Sequence, residues 1–290
     1  MLLSNFLGLS EKYSAYDKAR VAVLPVPYEA TVSYGRGTAK GPSAIIAASS
    51  QVEFYDEELG CEPYEAGIAT LEPLMVAGLA PAAMRGRVVP AVKKIISDGK
   101  LPFVLGGEHS ITPAVVLAVH AVHGHVTVVQ FDAHADLRQE YEGEPMSHAC
   151  AMARVRDICP VVHLGIRNIS KEEAKLASRE KFPIFYAKDM HRSDDWMEEA
   201  IKAIGTEKVY ATIDVDAFDS SVMPATGTPE PGGLGWYQVV DFLRLLCRRK
   251  RVVGFDVVEL APLDGMRACD FLAAKLAYKC IGYWQTGINC

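Results

Sequence analysis

Short apolar runs alternate with longer amphipathic stretches along most of the chain. The short runs are rich in β-branched and aromatic residues and apolar at consecutive positions, which predicts strands buried on both faces. The predicted strands are 20–26, 101–107, 125–132, 160–166, 182–187, 208–216 and 251–260. Apolar residues recur every three to four positions in the longer stretches, which predicts helices. The predicted helices are 41–58, 87–100, 112–123, 170–180, 194–205 and 235–250.

This alternation predicts an α/β fold in which a mostly parallel central sheet lies between two layers of helices, a three-layer α/β/α arrangement. Half of the 290 residues are hydrophobic, which is enough to fill a large core. No internal repeat, low-complexity tract or Pro/Gly/Ser linker interrupts the chain. The sequence therefore predicts a single domain over residues 1–290.

Charge and cysteine content exclude several classes of partner and location. The net charge is −6 and no Lys/Arg-rich run occurs, so we expect no nucleic acid and no anionic membrane surface as partner. The seven cysteines form no CxxC pair, which favours reduced thiols in the cytoplasm. The N-terminus lacks the regions of a signal peptide, and no apolar stretch predicts a transmembrane span.

Polar residues with metal-binding or acid–base chemistry follow four of the predicted strands. The segments are VLGGEHS (104–110), FDAHAD (131–136), TIDVDAFD (212–219) and FDVVELAP (255–262). Ligands of parallel α/β sheets bind at the carboxyl ends of the strands. We therefore expect these four segments to meet at one edge of the sheet and to form the functional site.

The segment Asp132-Ala-His134-Ala-Asp136 predicts a metal site when it is taken together with its neighbours. Residues two apart on an extended chain point to one side, which also holds for Asp214 and Asp216. Either segment alone is more typical of a polar loop, but several converging carboxylates repel one another unless cations neutralise them. Such oxygen-rich ligands favour Mn²⁺ over thiolate-bound zinc, and two ions ~3.5–4 Å apart can hold a hydroxide nucleophile between them.

Three motifs, in this order, resemble the signature regions of the ureohydrolases, the family of arginases and agmatinases. They are GGEHS (106–110), DAHAD (132–136) and TIDVDAFDSSVMPATGTPEPGG (212–233). The resemblance extends to 26–49, to HLGIR (163–167) and to VVELAP (257–262), and so covers nearly the whole chain; it is greatest to bacterial and archaeal agmatinases. It implies the arginase-like fold and manganese-dependent hydrolysis of a guanidino compound.

The resemblance also implies roles for individual residues. One manganese ion would be bound by His109, Asp132, Asp136 and Asp214, and the other by Asp132, His134, Asp214 and Asp216. His148 matches the proton-shuttling histidine of the family, and Glu259 matches the acid that orients the substrate guanidinium. Asp219 matches an aspartate near the second metal's ligands and the substrate, and Asp136 is the candidate that relays the hydroxide proton.

The predicted substrate is agmatine, which would give putrescine and urea. Glu108 stands where aspartate is more usual, and the loop 138–146 carries Glu140, Glu142 and Glu144 without an Asn. Acidic side chains in this loop would disfavour a substrate that carries a carboxylate, although Arg138 weakens this argument. The three glutamates are equally typical of a solvated surface. Guanidinobutyrase, guanidinopropionase or arginase activity therefore stays open.

Two other classes compete with a ureohydrolase. One is a single-zinc deacetylase of the related fold, and the other is a non-catalytic relative, although all six predicted ligands are intact. The family also implies a homo-oligomer, a trimer or a hexamer.

Several residues that invite a functional interpretation fit a structural one better. They are His120, His123 and His125 at the far end of the sheet, His163 in a strand, His191 at the surface and Cys150 as a buried thiol. The segment with Tyr28, Tyr34 and Arg36 is first of all a turn into the helix near Pro42, with substrate contact as a secondary hypothesis.

Overall fold

One eight-stranded sheet organises the computed structural model, which describes residues 5–193 and 195–288. The strands, β1 to β8, are Val21–Val26, Ile68–Thr70, Leu101–Gly106, Thr127–Phe131, Val161–Ile166, Ile184–Tyr186, Lys208–Asp214 and Arg251–Val258. Their order in the sheet is β2-β1-β3-β8-β7-β4-β5-β6, and every pairing is parallel. The predicted parallel sheet is confirmed.

Helices cover both faces of the sheet, as the apolar strands predict. The described helices, α1 to α10, are Glu11–Ser14, Gly41–Ser49, Pro81–Ser97, Thr112–His123, Ala151–Arg156, Lys171–Glu180, Ala187–Met190, Trp196–Ala203, Trp236–Arg249 and Arg267–Ile288. In β1, Val21 and Val23 pack into one hydrophobic core, whereas Ala22 and Leu24 pack into the other. The first core lies against α2, α9 and α10, and the second lies against α3 and α4. The strands are therefore apolar at consecutive positions because each face supplies a different core, and the three-layer prediction is confirmed.

Strand β2 and helices α1, α5, α7 and α10 were not predicted from the hydrophobic pattern. Strand β2 has only three residues, which is too short to give a clear alternation. Helix α10 is apolar around much of its circumference, and most residues from Ala273 to Trp284 are buried in the first core. No helix in the described part of the chain is long and apolar enough to cross a membrane.

Two helix predictions have wrong boundaries. The pattern over 41–58 predicts one long helix, but α2 ends at Ser49. The chain then turns, since Asp56 accepts the backbone N–H groups of Glu58 and Leu59, and Asp56 pairs with Cys61 in an isolated bridge. Helix α3 begins at Pro81, six residues before the predicted start at 87, because Pro81 suits the first turn of a helix.

A buried lysine fixes α10 to this turn. Lys279 Nζ donates to Asp56 Oδ1 at 2.9 Å and to Glu58 Oε2 at 2.8 Å, and the lysine side chain is only 4% exposed. Tyr283 OH also donates to Glu58, at 2.6 Å, and so does Arg244 of α9. These contacts join the end of the chain to a segment more than 200 residues earlier.

The four strands that precede the polar segments are neighbours in the sheet. They are β3, β8, β7 and β4, the four central strands in that order. The carboxyl ends of parallel strands lie at one edge of a sheet, so this order brings together residues that are up to 150 positions apart.

Candidate metal centre and pocket

The loop after β3 reaches the site through a close backbone contact that requires glycine. A Cβ at Gly107 would lie 1.9 Å from the carbonyl oxygen of Tyr28. Gly107 N donates to Val26 O at 3.0 Å and Glu108 N donates to Tyr28 O at 2.9 Å, so β1 and β3 stay paired beyond their ends. The double glycine of GGEHS therefore holds His109 at the edge of the sheet.

His109 faces three carboxylates and is almost fully buried. Its Nδ1 lies 3.1 Å from Asp132 Oδ2, 3.1 Å from Asp136 Oδ2 and 3.5 Å from Asp214 Oδ2. Nδ1 has no hydrogen-bond partner among the described residues, whereas Nε2 lies 2.9 Å from the Thr212 hydroxyl. If Nε2 donates to Thr212, Nδ1 keeps a lone pair that points at the carboxylates, which is the arrangement of a metal ligand.

His134 forms a second group with two of the aspartates. Its Nδ1 lies 2.9 Å from Asp216 Oδ2 and 3.5 Å from Asp132 Oδ1. Potential ligand atoms of His109, Asp132 and Asp214 lie within 4.8 Å of one another, and so do those of Asp132, His134 and Asp216. The two groups share Asp132, which presents one oxygen to each histidine.

The spacing argument assumes an extended chain, and the backbone around these ligands is extended only in part. His134 forms an isolated parallel bridge with Asn168, but the chain turns at Asp136 and after Asp214. Strand β4 ends at Phe131, Asp136 has a φ of 52°, and 215–217 is a 3₁₀ turn between Asp214 and Phe218. The side chains converge because the chain turns around the site. The extended geometry therefore holds only in part, and the residues that are brought together are the predicted ones.

Hydrogen bonds hold the carboxylates in place. Asp132 Oδ1 accepts from His134 N at 2.6 Å, and Asp132 Oδ2 accepts from the Gln130 amide at 2.7 Å. Asp214 Oδ1 accepts from Asp216 N at 2.9 Å. Asp216 Oδ1 accepts from Ala133 N at 2.9 Å and thereby joins the loops after β4 and β7. The orientations of these three carboxylates are therefore set by the fold.

The shifted pKa values of this cluster reflect an excess of negative charge in a buried environment. Burial disfavours charged His134, but the charge of Asp216 and hydrogen bonds to Asp132 and Asp216 outweigh it and raise the pKa of His134 to about 12. The pKa of Asp214 is raised well above its usual range by burial and by the charges of Asp216 and Asp132. Neighbouring cations would remove this conflict, so the donor set fits two divalent metal ions.

Glu259 lies beside the first group, directly after β8. Its backbone has a φ of 66°, its N–H donates to Gly107 O at 2.8 Å, and its Oε1 accepts from His109 N at 2.6 Å. Burial, together with the charge of Glu108, raises the pKa of Glu259 well above the usual range of a glutamate. An ionised carboxylate at this position needs a cationic neighbour.

A pocket of about 190 Å³ opens onto these groups. His109, His134, Asp136, Asp214, Asp216 and Glu259 line its acidic part. Val32, Ser33, Tyr34, Gly35, Arg138, Tyr141, His148, Ala149, Asn168, Thr226, Gly227 and Thr228 form the rest of the lining. The acidic part suits a cationic group, and the rest of the lining contains no acidic side chain.

Two sequence-predicted features lie apart from the pocket lining. Asp219 accepts four hydrogen bonds, from both the backbone and hydroxyl of Ser221 and from the N–H groups of Gly232 and Gly233, and so holds its own loop. In the acidic loop, Arg138 and Tyr141 line the pocket, whereas Glu140, Glu142 and Glu144 do not. The glutamates therefore give no support to a particular substrate tail.

The residues assigned structural roles are found in structural surroundings. His163 Nδ1 bonds Gln130 Oε1, and burial together with the charge of Arg156 lowers its pKa to about 3. Burial raises the pKa of Cys150 to about 11, which opposes a reactive thiolate. The histidines of HAVHGHV lie at the end of α4 and before β4, at the other end of the sheet from Asp132. Tyr34 does line the pocket, consistent with its secondary hypothesis.

The sequence analysis missed the neutral residues that support the site. Thr212, Gln130 and Thr31 contact predicted site residues through hydrogen bonds. Thr212 and Gln130 occupy strand positions two residues before a predicted ligand, so side-chain alternation places them on the same side of the strand. That spacing was the available clue, whereas Thr31 comes from a distant loop.

Comparison with known proteins adds a family context to this geometry. The profile of the arginase family matches residues 19–282. The chain is 46% identical to an N(1)-aminopropylagmatine ureohydrolase of Synechocystis, covering 95% of this chain and 92% of the relative. It is 35% identical to an agmatinase of Pyrococcus horikoshii, covering 97% and 99%. The crystal structure of an agmatine ureohydrolase of Thermoplasma volcanium matches with a TM-score of 0.87 at 30% identity, covering 100% of this chain and 97% of that one.

Proposed function

The chain belongs to the arginase family, and from this premise we propose that it hydrolyses the guanidino group of a small cationic substrate to urea and an amine. The observation that carries the proposal is the shared carboxylate of Asp132, with His109 on one side and His134 on the other. We propose two Mn²⁺ ions per chain. Their ligands would be His109, Asp132, Asp136 and Asp214 for one ion, and Asp132, His134, Asp214 and Asp216 for the other.

A guanidinium is planar, cationic and a poor electrophile, so the site must supply a nucleophile, an anionic anchor and a proton donor. When bound, the two metal ions supply a nucleophile derived from water at neutral pH. Glu259 provides the anchor, because its buried carboxylate favours a cationic partner and a charge-assisted hydrogen bond.

Two residues handle protons in this proposal. Asp136 lines the pocket beside His109, so its carboxylate is placed to accept a proton there. His148 lines the same pocket and carries the proton to the leaving amine or to solvent. A substrate contact of Asp219 stays a prediction, since its carboxylate oxygens already hold the loop.

The tail of the substrate distinguishes the members of the family. We propose N(1)-aminopropylagmatine as the preferred substrate, because the relative that is 46% identical over 95% of the chain carries that name. Agmatine, the substrate predicted from the sequence, is the second candidate and is supported by the agmatinase that is 35% identical. Either substrate has an amine tail without a carboxylate.

A substrate panel tests the proposal. Purified protein with added Mn²⁺ is assayed for urea release from N(1)-aminopropylagmatine, agmatine, arginine, guanidinobutyrate and guanidinopropionate, and metal is counted per chain. We expect the highest kcat/KM with N(1)-aminopropylagmatine, then agmatine. A preference for a carboxylate-bearing compound would overturn the assignment of the tail. One zinc per chain, together with release of acetate from an acetylated amine, would favour a deacetylase. No hydrolysis of any of these compounds would favour a non-catalytic binding role.

We also propose a cytoplasmic homo-oligomer, a trimer or a hexamer, whose partner is the small substrate. The six cysteines within the described residues are free, which fits a reducing compartment. Light scattering of the purified protein measures the number of chains directly, and a monomeric mass would contradict this part of the proposal.

A further inference from the structure

Glu108 is a fully buried carboxylate whose oxygens are both used by the loop that covers the site. Its Oε2 accepts the backbone N–H groups of Ala30 and Thr31, each at 2.8 Å. Its Oε1 accepts the hydroxyls of Thr31 at 2.8 Å and of Ser110 at 2.5 Å. Glu108 therefore fixes both the backbone and the side chain of Thr31.

The Thr31 hydroxyl has one proton, and the carboxylate takes it. An ionised carboxylate can only accept hydrogen bonds, so Thr31 must donate to Glu108. The two lone pairs of Thr31 Oγ1 remain for His148. Thr31 Oγ1 lies 3.0 Å from His148 N and 3.2 Å from His148 Nδ1. Thr31 thus joins Glu108 to the histidine that lines the pocket.

This arrangement selects one tautomer of His148. With the Thr31 proton directed at Glu108, an unprotonated Nδ1 would place two lone pairs against each other at 3.2 Å. A protonated Nδ1 instead donates to Thr31. The Ser147 hydroxyl is a weaker competitor, because it lies at 3.3 Å from the same nitrogen and has no carboxylate to orient it. The ring of Tyr141 contacts the imidazole edge-on, at 5.9 Å between centroids.

We propose that Glu108 and Thr31 are positioning residues that hold His148 as the Nδ1–H tautomer and leave Nε2 to exchange protons with the substrate. The inference rests on the proposed ureohydrolase function. Nε2 has no hydrogen bond within the described residues, and His148 lines the pocket. A neutral ring in this tautomer accepts a proton at Nε2 and returns it from the same atom to the leaving amine.

A double-mutant cycle with the Mn²⁺-loaded enzyme tests the inference. Thr31→Val keeps the shape of the side chain but removes the hydroxyl, and it should lower kcat by about ten- to a hundredfold with bound metal unchanged. Thr31→Ser restores the hydroxyl and should recover most of kcat, and Ser147→Ala should cost far less than Thr31→Val. In a His148→Asn background, Thr31→Val should have almost no further effect. An equal loss in that background would overturn the proposal, since Thr31 would then act independently of His148.

A second measurement does not depend on activity. In metal-free protein with ¹⁵N-labelled histidine, the spectra report which nitrogen of His148 carries the proton, and His148→Asn assigns the signal. We expect Nδ1–H in the wild type and a mixture in Thr31→Val. Glu108→Gln has an amide that can donate to Thr31, so it should shift the ring towards Nε2–H. A wild-type ring protonated at Nε2 would overturn the inference even if urea release is observed. Nδ1–H in a protein that releases no urea would instead defeat the proposed function alone.

Discussion

At the scale of single residues, neutral side chains hold the charged residues of the candidate site through hydrogen bonds, from Gln130 to Asp132 and between Thr212 and His109. Asp132, His134 and Asp136 stand out because three potential ligands at alternate positions are unusual after a buried strand. Thr212 is one of many strand threonines, and only the fold shows that its hydroxyl lies 2.9 Å from His109 Nε2. A neutral hydrogen-bond partner gains its role from contact across the sheet, which local sequence does not encode.

Thr212→Val is expected to weaken metal binding without unfolding the protein. The substitution keeps the β-branched shape but removes the hydroxyl that orients His109, and loss of such a partner typically lowers metal affinity about 10–100-fold. Competition with a chelator measures the affinity. Thr127→Val, a buried strand threonine at the other end of the sheet, is the matched control. Equal affinities of the two variants would show that Thr212 does not support the site.

Glu259→Gln is expected to impair use of the substrate more than metal binding. The variant loses a charge-assisted hydrogen bond to the guanidinium, which is worth about 1.5–3 kcal/mol, or roughly ten- to over a hundredfold in kcat/KM. Its His109 N–H contact can be kept by the amide oxygen. Urea-release kinetics and metal counting on the same preparation separate the two effects. A normal kcat/KM would exclude Glu259 as the anchor.

At the scale of elements, most strands and helices follow from the periodicity of apolar residues, but α10 does not. This helix is buried on several sides, and its polar contacts with the turn at Asp56 and Glu58 bridge over 200 positions. Such contacts decide where α10 lies, yet they are invisible in a local pattern. The end of α2 at Ser49 has the same origin, because the Asp56 turn that follows is held by Lys279.

The contacts that hold α9 and α10 to Glu58 predict a specific pH dependence of the free energy of unfolding. Burial opposes the charge of Glu58, but hydrogen bonds from Lys279, Tyr283 and Arg244 outweigh it and lower its pKa from 4.5 to about 2. A depressed carboxyl pKa stabilises the folded state above the unfolded pKa, and this contribution is lost as the pH falls from about 4.5 towards 2. The difference in free energy of unfolding between the wild type and Glu58→Gln should therefore become smaller as the pH falls across this range.

Urea unfolding of both proteins at pH 7 and at several lower pH values measures this difference. Glu57→Gln serves as the control, since Glu57 is an exposed neighbour in the same turn. If the wild type remains more stable than Glu58→Gln by the same free energy down to pH 3, the role given to the charge of Glu58 is contradicted.

At the scale of the whole molecule, the site exists only when four strands are in order. Its acids and histidines follow β3, β4, β7 and β8, and the sheet order makes these strands neighbours. The alternation of strands and helices predicts a parallel sheet, and parallel sheets place ligands at the carboxyl ends of their strands. The order of the strands comes from packing between distant segments, which the local hydrophobic pattern does not show. The arginase-like fold was instead implied by the resemblance to ureohydrolases.

Metal binding is expected to stabilise the fold as a whole. A metal that binds only the folded state at a free concentration of 100 times its Kd adds about 2.7 kcal/mol, so Mn²⁺ should raise the Tm of chelator-treated protein by several degrees. Asp214→Asn removes a carboxylate whose charge is disfavoured by burial and by Asp216. The metal-free variant should be no less stable than the metal-free wild type, but its gain with Mn²⁺ should be much smaller. Equal gains in thermal unfolding would argue against Asp214 as a ligand.

The short outer strands have a consequence for association between molecules. β2 and β6, at the two ends of the sheet, have three residues each, whereas the interior strands have five to eight. A free sheet edge can pair with the edge of another chain and start aggregation, and a short edge offers few unpaired backbone groups for this. The long apolar strands lie inside, where neighbours occupy both of their sides. Lengthening β2 or β6 with apolar residues would therefore create a long exposed edge strand that favours aggregation. The described sheet has no long edge strand.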